Sequence, residues 1–255
     1  MNLLLLAIGF LTVLPMRVRD ATMREVGRAG MWFPVVGFFM GLTLGAIHLA
    51  FLQSFSPLLA ATLTVVLWIA FTGGLHLDGL ADCCDGLFVS ALPERRLEIM
   101  RDPRVGSFGV IGLVLIIALK IFAINSIITF KTSAPLFGIF NTYFPVGVFG
   151  LAMTISRWLI LLVALQPQAR ANGMGVEFAR GITRRTIFVA AIVPMLFVIV
   201  GLVAWQMLVA IIAAHAITFI AIRFARARLG GVSGDVMGLT VEVSEVIILL
   251  TFAAR

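Results

Sequence analysis

The chain has 255 residues, of which 61% are hydrophobic and 12% charged, with a mean hydropathy of +1.12. A soluble domain carries about 25% charged residues and less than about half apolar ones, so soluble enzymes, disulfide scaffolds and disordered tails are excluded and the solvent is largely lipid. The net charge of +7 comes from 17 Arg and 2 Lys against 12 Asp and Glu. Cationic loops beside an anionic leaflet account for that balance without nucleic acid as a partner. Cys83 and Cys84 are adjacent, with neither zinc spacing nor a disulfide framework, and read as small helix residues in a reducing compartment.

In chain order, Met1–Leu14 has the length of a signal-peptide core but no basic flank or small-residue cleavage site, and Pro15 follows at once. It is expected to remain as a short or re-entrant helix. About 20 apolar residues cross about 30 Å of hydrocarbon, and Gly30–Leu52, Pro57–Leu75, Ser107–Phe130, Leu136–Leu165, Thr186–Val203 and Gln206–Phe224 meet or approach that length. Pro145, Gly147 and Gly150 should kink or break the fourth. Val243–Ala254 is too short to cross unless its helix begins near Met237. The fold class expected is an all-α polytopic integral membrane protein. It has six to eight transmembrane helices plus short N-terminal and C-terminal hydrophobic helices, in one membrane-embedded catalytic domain.

Arginines cluster at 17–28, 95–104, 170–185 and 223–228, while the intervening connections carry only Lys131. By the positive-inside rule the clusters face the cytoplasm. All the acids fall on that same side, at 20–25, 78–102, Glu177 and 235–245. The rule does not require this, whereas chemistry on a charged cytoplasmic substrate gives a reason for it.

The densest signal is HLDGLADCCDG, His76–Gly86. Asp78, Asp82 and Asp85, at i, i+4 and i+7, fall within about 60° on one helical face. At about 6 Å such carboxylates repel by about 3 kcal/mol per pair at an effective dielectric of about 20, a tension relieved by protonation or by a cation. Oxygen ligands without Cys or His suit Mg²⁺, which shares its shell between one or two carboxylates, water and substrate phosphates. The competing reading is a solvated acidic face with Asp78 as cap. His76 either touches substrate or bonds to backbone.

RRLEIMRDPRVGSFG, Arg95–Gly109, leads into the next span. Arg101, Arg104 and Gly106, with Asp102 between them, suit an anion at a helix N-terminus, or else anchor the membrane interface. Glu94 and Glu98 read as surface partners of Arg95 and Arg101. Lys120 and Arg157 lie inside apolar spans, where burial costs about 2.5–3.5 kcal/mol on insertion scales, so each needs an anionic partner: the aspartates or a bound pyrophosphate. His48 and His215, also mid-span, read as packed or backbone-bonded. Finally, GGVSGDVMGLTVEVSE, Gly230–Glu245, surrounds Asp235 with glycines and sets Glu242 and Glu245 one turn apart. This is either a nucleotide or sugar contact or a flexible turn and cap.

FLTVLP (Phe10–Pro15), FPVVG (Phe33–Gly37), the HLDGLAD-x-x-DG block, the RD-x-R-x-G block, Ser156-Arg157 and GGVSGD…E…E occur together in order. In them the chain closely resembles the cobalamin-5′-phosphate synthase family, also called adenosylcobinamide-GDP ribazoletransferases, over nearly its whole length. Pro103 stands where a serine is usual, and 135–150 carries no motif of the family. The resemblance implies an Mg²⁺-dependent enzyme of a bacterial or archaeal inner membrane, with its active site facing the cytoplasm. It would join adenosylcobinamide-GDP to α-ribazole or its 5′-phosphate and release GMP, beside other corrinoid-pathway enzymes as partners. In that reading Asp78, Asp82 and Asp85 hold Mg²⁺. Arg101, Arg104, Lys120 and Arg157 neutralise phosphate charge, and Asp102, Asp235, Glu242 or Glu245 accept the hydroxyl proton, bind ribose or hold a second metal. A CDP-alcohol phosphotransferase is the nearest alternative, but its D-x-x-D-G-x-x-A-R spacing is absent. A transporter of an anionic metabolite is another, against which stands the lack of an internal repeat.

Overall fold

A computed structural model describes residues 2–16, 21–127, 138–202 and 204–254, with side chains left aside at 138–144. Arg17, Arg19 and Lys131, used above for sidedness, and the starts of the expected fourth span lie outside the described residues. Those described are helical apart from turns, loops and one parallel bridge between Gln168 and Val232.

The N-terminal segment forms α1 (Leu3–Leu11), capped by the Asn2 side chain, which accepts from the Leu4 and Leu5 amides. At nine residues it is too short to cross a bilayer, as expected. The first crossing begins one helix earlier than the hydropathy suggested. α2 (Met23–Ala29), a 3₁₀ turn (Gly30–Trp32) and α3 (Phe33–Phe51) run together over 29 residues, opened by a Thr22–Glu25 capping box. α4 (Pro57–Thr72) has only 16 residues, about 24 Å at 1.5 Å per residue. Gly73 and Gly74, both left-handed with φ of 62° and 69°, then turn the chain by 93° into α5 (Leu75–Phe88). α6 (Pro93–Ile99) follows on the surface.

The remaining crossings are α7 (Ser107–Ile127), the Pro145–Ala164 part of α8 (Gly138–Ala164), α10 (Arg184–Gly201), α11 (Trp205–Leu229) and α12 (Gly234–Ala253); short α9 (Met174–Gly181) lies between α8 and α10. Among the described residues six helices are long and apolar enough to cross, or seven if α4 and α5 together make one broken span. The protein is thus a multi-pass, all-α membrane protein. Pro145 sits inside α8 without ending it. The C-terminal helix, expected to be short, is a full span. Ser233 caps it, and it begins at Gly234, ahead of the Met237 start considered from hydropathy.

α8 and α12 are the most enclosed spans, at 78% and 67% buried, against 22–28% for α7, α10 and α11. Small residues set the closest helix approach. A Cβ at Gly37, Gly41 or Gly45 on α3 would stand 2.3 Å from Met153 O, 2.3 Å from Phe149 O and 2.6 Å from Val146 Cα of α8. Lipid supplies no hydrophobic drive between helices, so close backbone packing of this kind holds them together. The same seam leaves room beside Gly37 for the side chain of Arg157.

Candidate active site

The site is assembled where α5 crosses the first turn of α12. The two helices meet at Gly79 and Gly238: a Cβ on Gly79 would lie 3.0 Å from Asp235 Cα, and one on Gly238 would lie 2.9 Å from His76 O. Only glycine at the crossing permits that approach, and its result is to bring Asp78 and Asp82 beside Asp235. Asp82 feels the charges of Asp235, Asp78 and Asp85, and Asp235 in turn feels Asp78. Ser233 Oγ donates to Asp235 Oδ2 at 3.1 Å.

Asp85, the third member of the sequence block, is turned elsewhere. Its two oxygens accept from the Gly106 and Gly109 amides at 2.7 and 2.8 Å. The carboxylate therefore occupies the N-terminus of α7, the position the sequence suggests for a phosphate, and the Gly106 amide is engaged by Asp85. Charge and amide geometry explain the preference, since the unpaired N–H groups of a helix start attract the nearest anion. Arg96 ties down the other end of α5, donating to the Gly86, Leu87 and Ala91 carbonyls.

Two basic groups complete the rim. The bridge between 168 and 232, held by Ala169 N to Val232 O at 2.8 Å and Val232 N to Pro167 O at 2.9 Å, brings Arg170 to the aspartates. Arg170 donates to Leu97 O at 2.7 Å while its Nε has no hydrogen-bond partner among the described residues. Its charge interacts with Asp235, Asp82 and Arg101. Burial, and then the Arg101 charge, push the Arg170 guanidinium below its usual value. Arg170 was read from the sequence only as a topology signal, because nothing local marks it; the backbone bridge that places it spans 64 residues. Arg101 remains exposed toward the cluster. Asp102 and Arg104 instead pair with each other, Nη2 to Oδ2 at 2.7 Å and Nε to Oδ1 at 2.9 Å, and that contact holds the Asp102 carboxyl down at about 2.

The buried cations of the sequence reading are placed one layer deeper and are neutralised by protein. Lys120 Nζ lies 2.7 Å from Glu242 and 2.6 Å from Glu245, and 4.5 Å from the Trp68 ring centre. Arg157 pairs with Glu245, and Ser156 Oγ bridges the two. All four ionic groups are buried. Lys120, Arg157, Glu242 and Glu245, read from the sequence as substrate-binding, here contact one another. Two positive and two negative charges offset one another, while Arg157 Nε and Nη2 have no hydrogen-bond partner among the described residues. His76, also buried, stands near this cluster. His48 bonds Thr64 at 2.8 Å and His215 Nδ1 meets Ile211 O at 2.8 Å, both packed as expected.

A cavity of about 220 Å³ opens beside the aspartates, lined by His76, Asp78 and Asp235 and otherwise mostly by apolar residues and glycines. Among the described residues no three His, Cys, Asp or Glu side chains enclose a metal unaided. Asp78, Asp82 and Asp235 are nonetheless hard oxygen donors crowded at one edge, a donor set that suits Mg²⁺ completed by water and phosphate oxygens. Acidic residues able to share a divalent cation, facing the Arg101–Arg170 rim, form an arrangement chemically suited to a polyphosphate.

The family described as Cobalamin-5-phosphate synthase matches residues 3–253. A protein of Stutzerimonas stutzeri named adenosylcobinamide-GDP ribazoletransferase is 37% identical, over 99% of this chain and 98% of its own length. Proteins of the same name from Desulfitobacterium hafniense (32% identity, 98% and 96% covered) and Chlorobium phaeobacteroides (37%, 96% and 94%) are similar over comparable lengths. No solved structure matches.

Proposed function

The chain belongs to the cobalamin-5-phosphate synthase family and is a transferase of cobalamin biosynthesis; from that premise we propose that it joins adenosylcobinamide-GDP to α-ribazole or its 5′-phosphate at the cytoplasmic face of the cell membrane. The observation that carries the reading is the crossing at Gly79 and Gly238, which sets Asp78 and Asp82 beside Asp235 and under the Arg101–Arg170 rim. The same rim supports that sidedness. The arginine clusters at 95–104 and 170–185 meet there, and the positive-inside rule puts such loops in the cytoplasm.

In the reaction a ribose hydroxyl oxygen attacks the phosphorus that bears the cobinamide. A new O–P bond forms, the P–O bond to the bridging oxygen breaks, and GMP departs with that oxygen while the hydroxyl proton is released. Such transfer rests mainly on positioning and charge stabilisation. Asp78 and Asp82 would hold Mg²⁺, with Asp235 as a further ligand or the proton acceptor. When bound, the ion supplies neutralisation of the pyrophosphate oxygens. Arg101 and Arg170 bind the leaving phosphate, where forked guanidinium contacts suit its oxygens. Asp85 orients α7 and the arginine loop, and the Lys120–Glu242–Glu245–Arg157 cluster fixes α7, α8 and α12 beneath the site.

The test is incubation of detergent-purified protein with adenosylcobinamide-GDP and α-ribazole, with Mg²⁺ or with EDTA, following GMP by chromatography. GMP release that needs both substrates and is abolished by EDTA is expected. GMP release without the acceptor, or CMP release from a CDP-alcohol, contradicts the proposal.

A further inference from the structure

Two like charges stand together where the ends of α6 and α11 meet. Arg96 is buried and donates to the Gly86, Leu87 and Ala91 carbonyls, tying α6 to the end of α5. Arg228, in the last turn of α11, adds its charge beside Arg96. Among the described residues neither pairs with a carboxylate. The sequence offers none along this stretch, since no Asp or Glu occurs between Glu177 and Asp235. Neighbouring guanidinium groups repel one another, and an anion on Arg228 relieves that repulsion.

The surface next to Arg228 is aromatic and exposed. Its guanidinium lies 5.2 Å from the centre of the Phe224 ring. Phe224 in turn is 5.7 Å from Phe88, the last residue of α5, and Phe88 is 6.3 Å from Phe108 in the first turn of α7. Phe88 and Phe108 are 58% and 46% exposed, and one turn further into the two spans Ile111 and Ile220 are exposed as well. α7 and α11 are both long and apolar enough to cross a membrane, so these rings stand at the ends of spans, where headgroups give way to acyl chains.

A cation at headgroup level above a run of apolar rings matches a phospholipid in both charge and polarity. We propose that this face seats an anionic phospholipid, its phosphodiester on Arg228 and an acyl chain along Phe224, Phe88 and Phe108. Guanidinium geometry suits phosphate oxygens. Arg223 and Arg226, exposed on the last two turns of the same helix, add attraction for an anionic headgroup over a neutral one. A soluble anion would meet the arginine but leave the rings uncovered. A cation in the last turn also favours the helix dipole, a role that needs no lipid and is separable by experiment. Because the seat adjoins the end of α5 held by Arg96, its occupation should stabilise the fold. The inference stands apart from the identity of the reaction.

The experiment titrates full-length protein in neutral detergent with phosphatidylglycerol, or with phosphatidylcholine of the same chains. Bound lipid is counted by native mass spectrometry, and thermal midpoints are read in the same samples. Arg228→Gln removes the headgroup cation and Phe88→Ser an exposed ring. Arg184→Gln, at the exposed start of α10, is the control for charge elsewhere. Phosphatidylglycerol should bind at least about tenfold more tightly than phosphatidylcholine, and Arg228→Gln should weaken it about fivefold, as one cation fewer at a headgroup predicts, with Arg184→Gln within about twofold. Phe88→Ser should weaken both lipids, and phosphatidylglycerol should raise the midpoint of the unmodified protein more than that of Arg228→Gln. Equal affinity for the two lipids overturns the inference, as does unchanged phosphatidylglycerol binding in Arg228→Gln. An equal loss in Arg184→Gln makes the attraction one of the whole basic face and removes the seat. Displacement of phosphatidylglycerol by inorganic phosphate assigns Arg228 to a soluble anion instead. A midpoint lowered equally with and without phosphatidylglycerol in Arg228→Gln leaves only the helix dipole.

Discussion

Replacing Lys120 with Met separates a structural role for the buried charges from a substrate-binding one. The side chain keeps its length but loses its charge, stranding Glu242, whose side chain hydrogen-bonds to Lys120 in the present structure. Glu245 keeps Arg157 and Ser156. Breaking a buried pair from one side costs about 3–5 kcal/mol, because the partner charge stays behind in low dielectric. Total stability is about 5–15 kcal/mol, so the loss is large, and at about 2–4 °C per kcal/mol for a chain of this length the melting midpoint should fall by at least about 6 °C. Adding Glu242→Gln removes the stranded anion. The double variant keeps the Arg157–Glu245 pair and should recover at least about half of the lost stability, a coupling within the usual range of about 0.5–3 kcal/mol. The assay is thermal unfolding of detergent-purified protein by fluorescence-detected size exclusion, with GMP release measured below the lowest midpoint. If Lys120→Met and the double variant both melt like the unmodified protein while turnover collapses, Lys120 binds pyrophosphate and the structural reasoning is refuted.

Asp78→Asn and Asp82→Asn should each reduce GMP release by at least about a thousandfold, in the range seen when charge stabilisation at phosphoryl transfer is lost, with unchanged membrane insertion; near-normal rates in both remove them from the site. Asp85→Ala should instead destabilise the fold by about 1–2 kcal/mol in thermal or denaturant unfolding, as the loss of a helix cap does, because the Gly106 and Gly109 amides lose their acceptor. An Asp85→Ala protein of normal stability and no activity would return Asp85 to the metal. Gly41→Ala places a methyl 2.3 Å from Phe149 O; the expected cost is about 1–3 kcal/mol, read as a lower midpoint, and an unchanged midpoint would mean that α3 and α8 are not held by this seam. The Asp102 carboxyl is held at about 2 by Arg104, so its contribution is present above the ordinary aspartate range and is lost only as pH falls through about 2. Any acidic limb of the pH–rate profile above the ordinary aspartate range should therefore sit at the same pH in Asp102→Asn, and a displaced limb would place Asp102 among the groups that titrate during turnover.

Composition and hydropathy were sufficient for the class of fold. A chain with 12% charge has no alternative to lipid, and apolar segments of helical length show where it crosses. Hydropathy places two boundaries differently from the structure, for different reasons. α12 crosses in full because Glu242 and Glu245 are paired across the bundle, and α4 stops short because two left-handed glycines turn it. The family was legible as well, since its motifs are local strings, and so was the spacing of Asp78 and Asp82 one turn apart on α5.

The assignment of charges to partners was decided only by the tertiary structure. Helical periodicity placed Asp78, Asp82 and Asp85 on one face, but a face can meet two neighbours, and Asp85 meets the amides of α7 while the other two meet Asp235. Lys120 and Arg157 announced a need for anions without naming them, because Glu242 and Glu245 lie 122 and 125 residues from Lys120. Arg170 had no local signal at all and reaches the site through a backbone bridge to residue 232. Pairwise electrostatic energy depends on separation in space and on burial, and neither is encoded in the spacing along one helix.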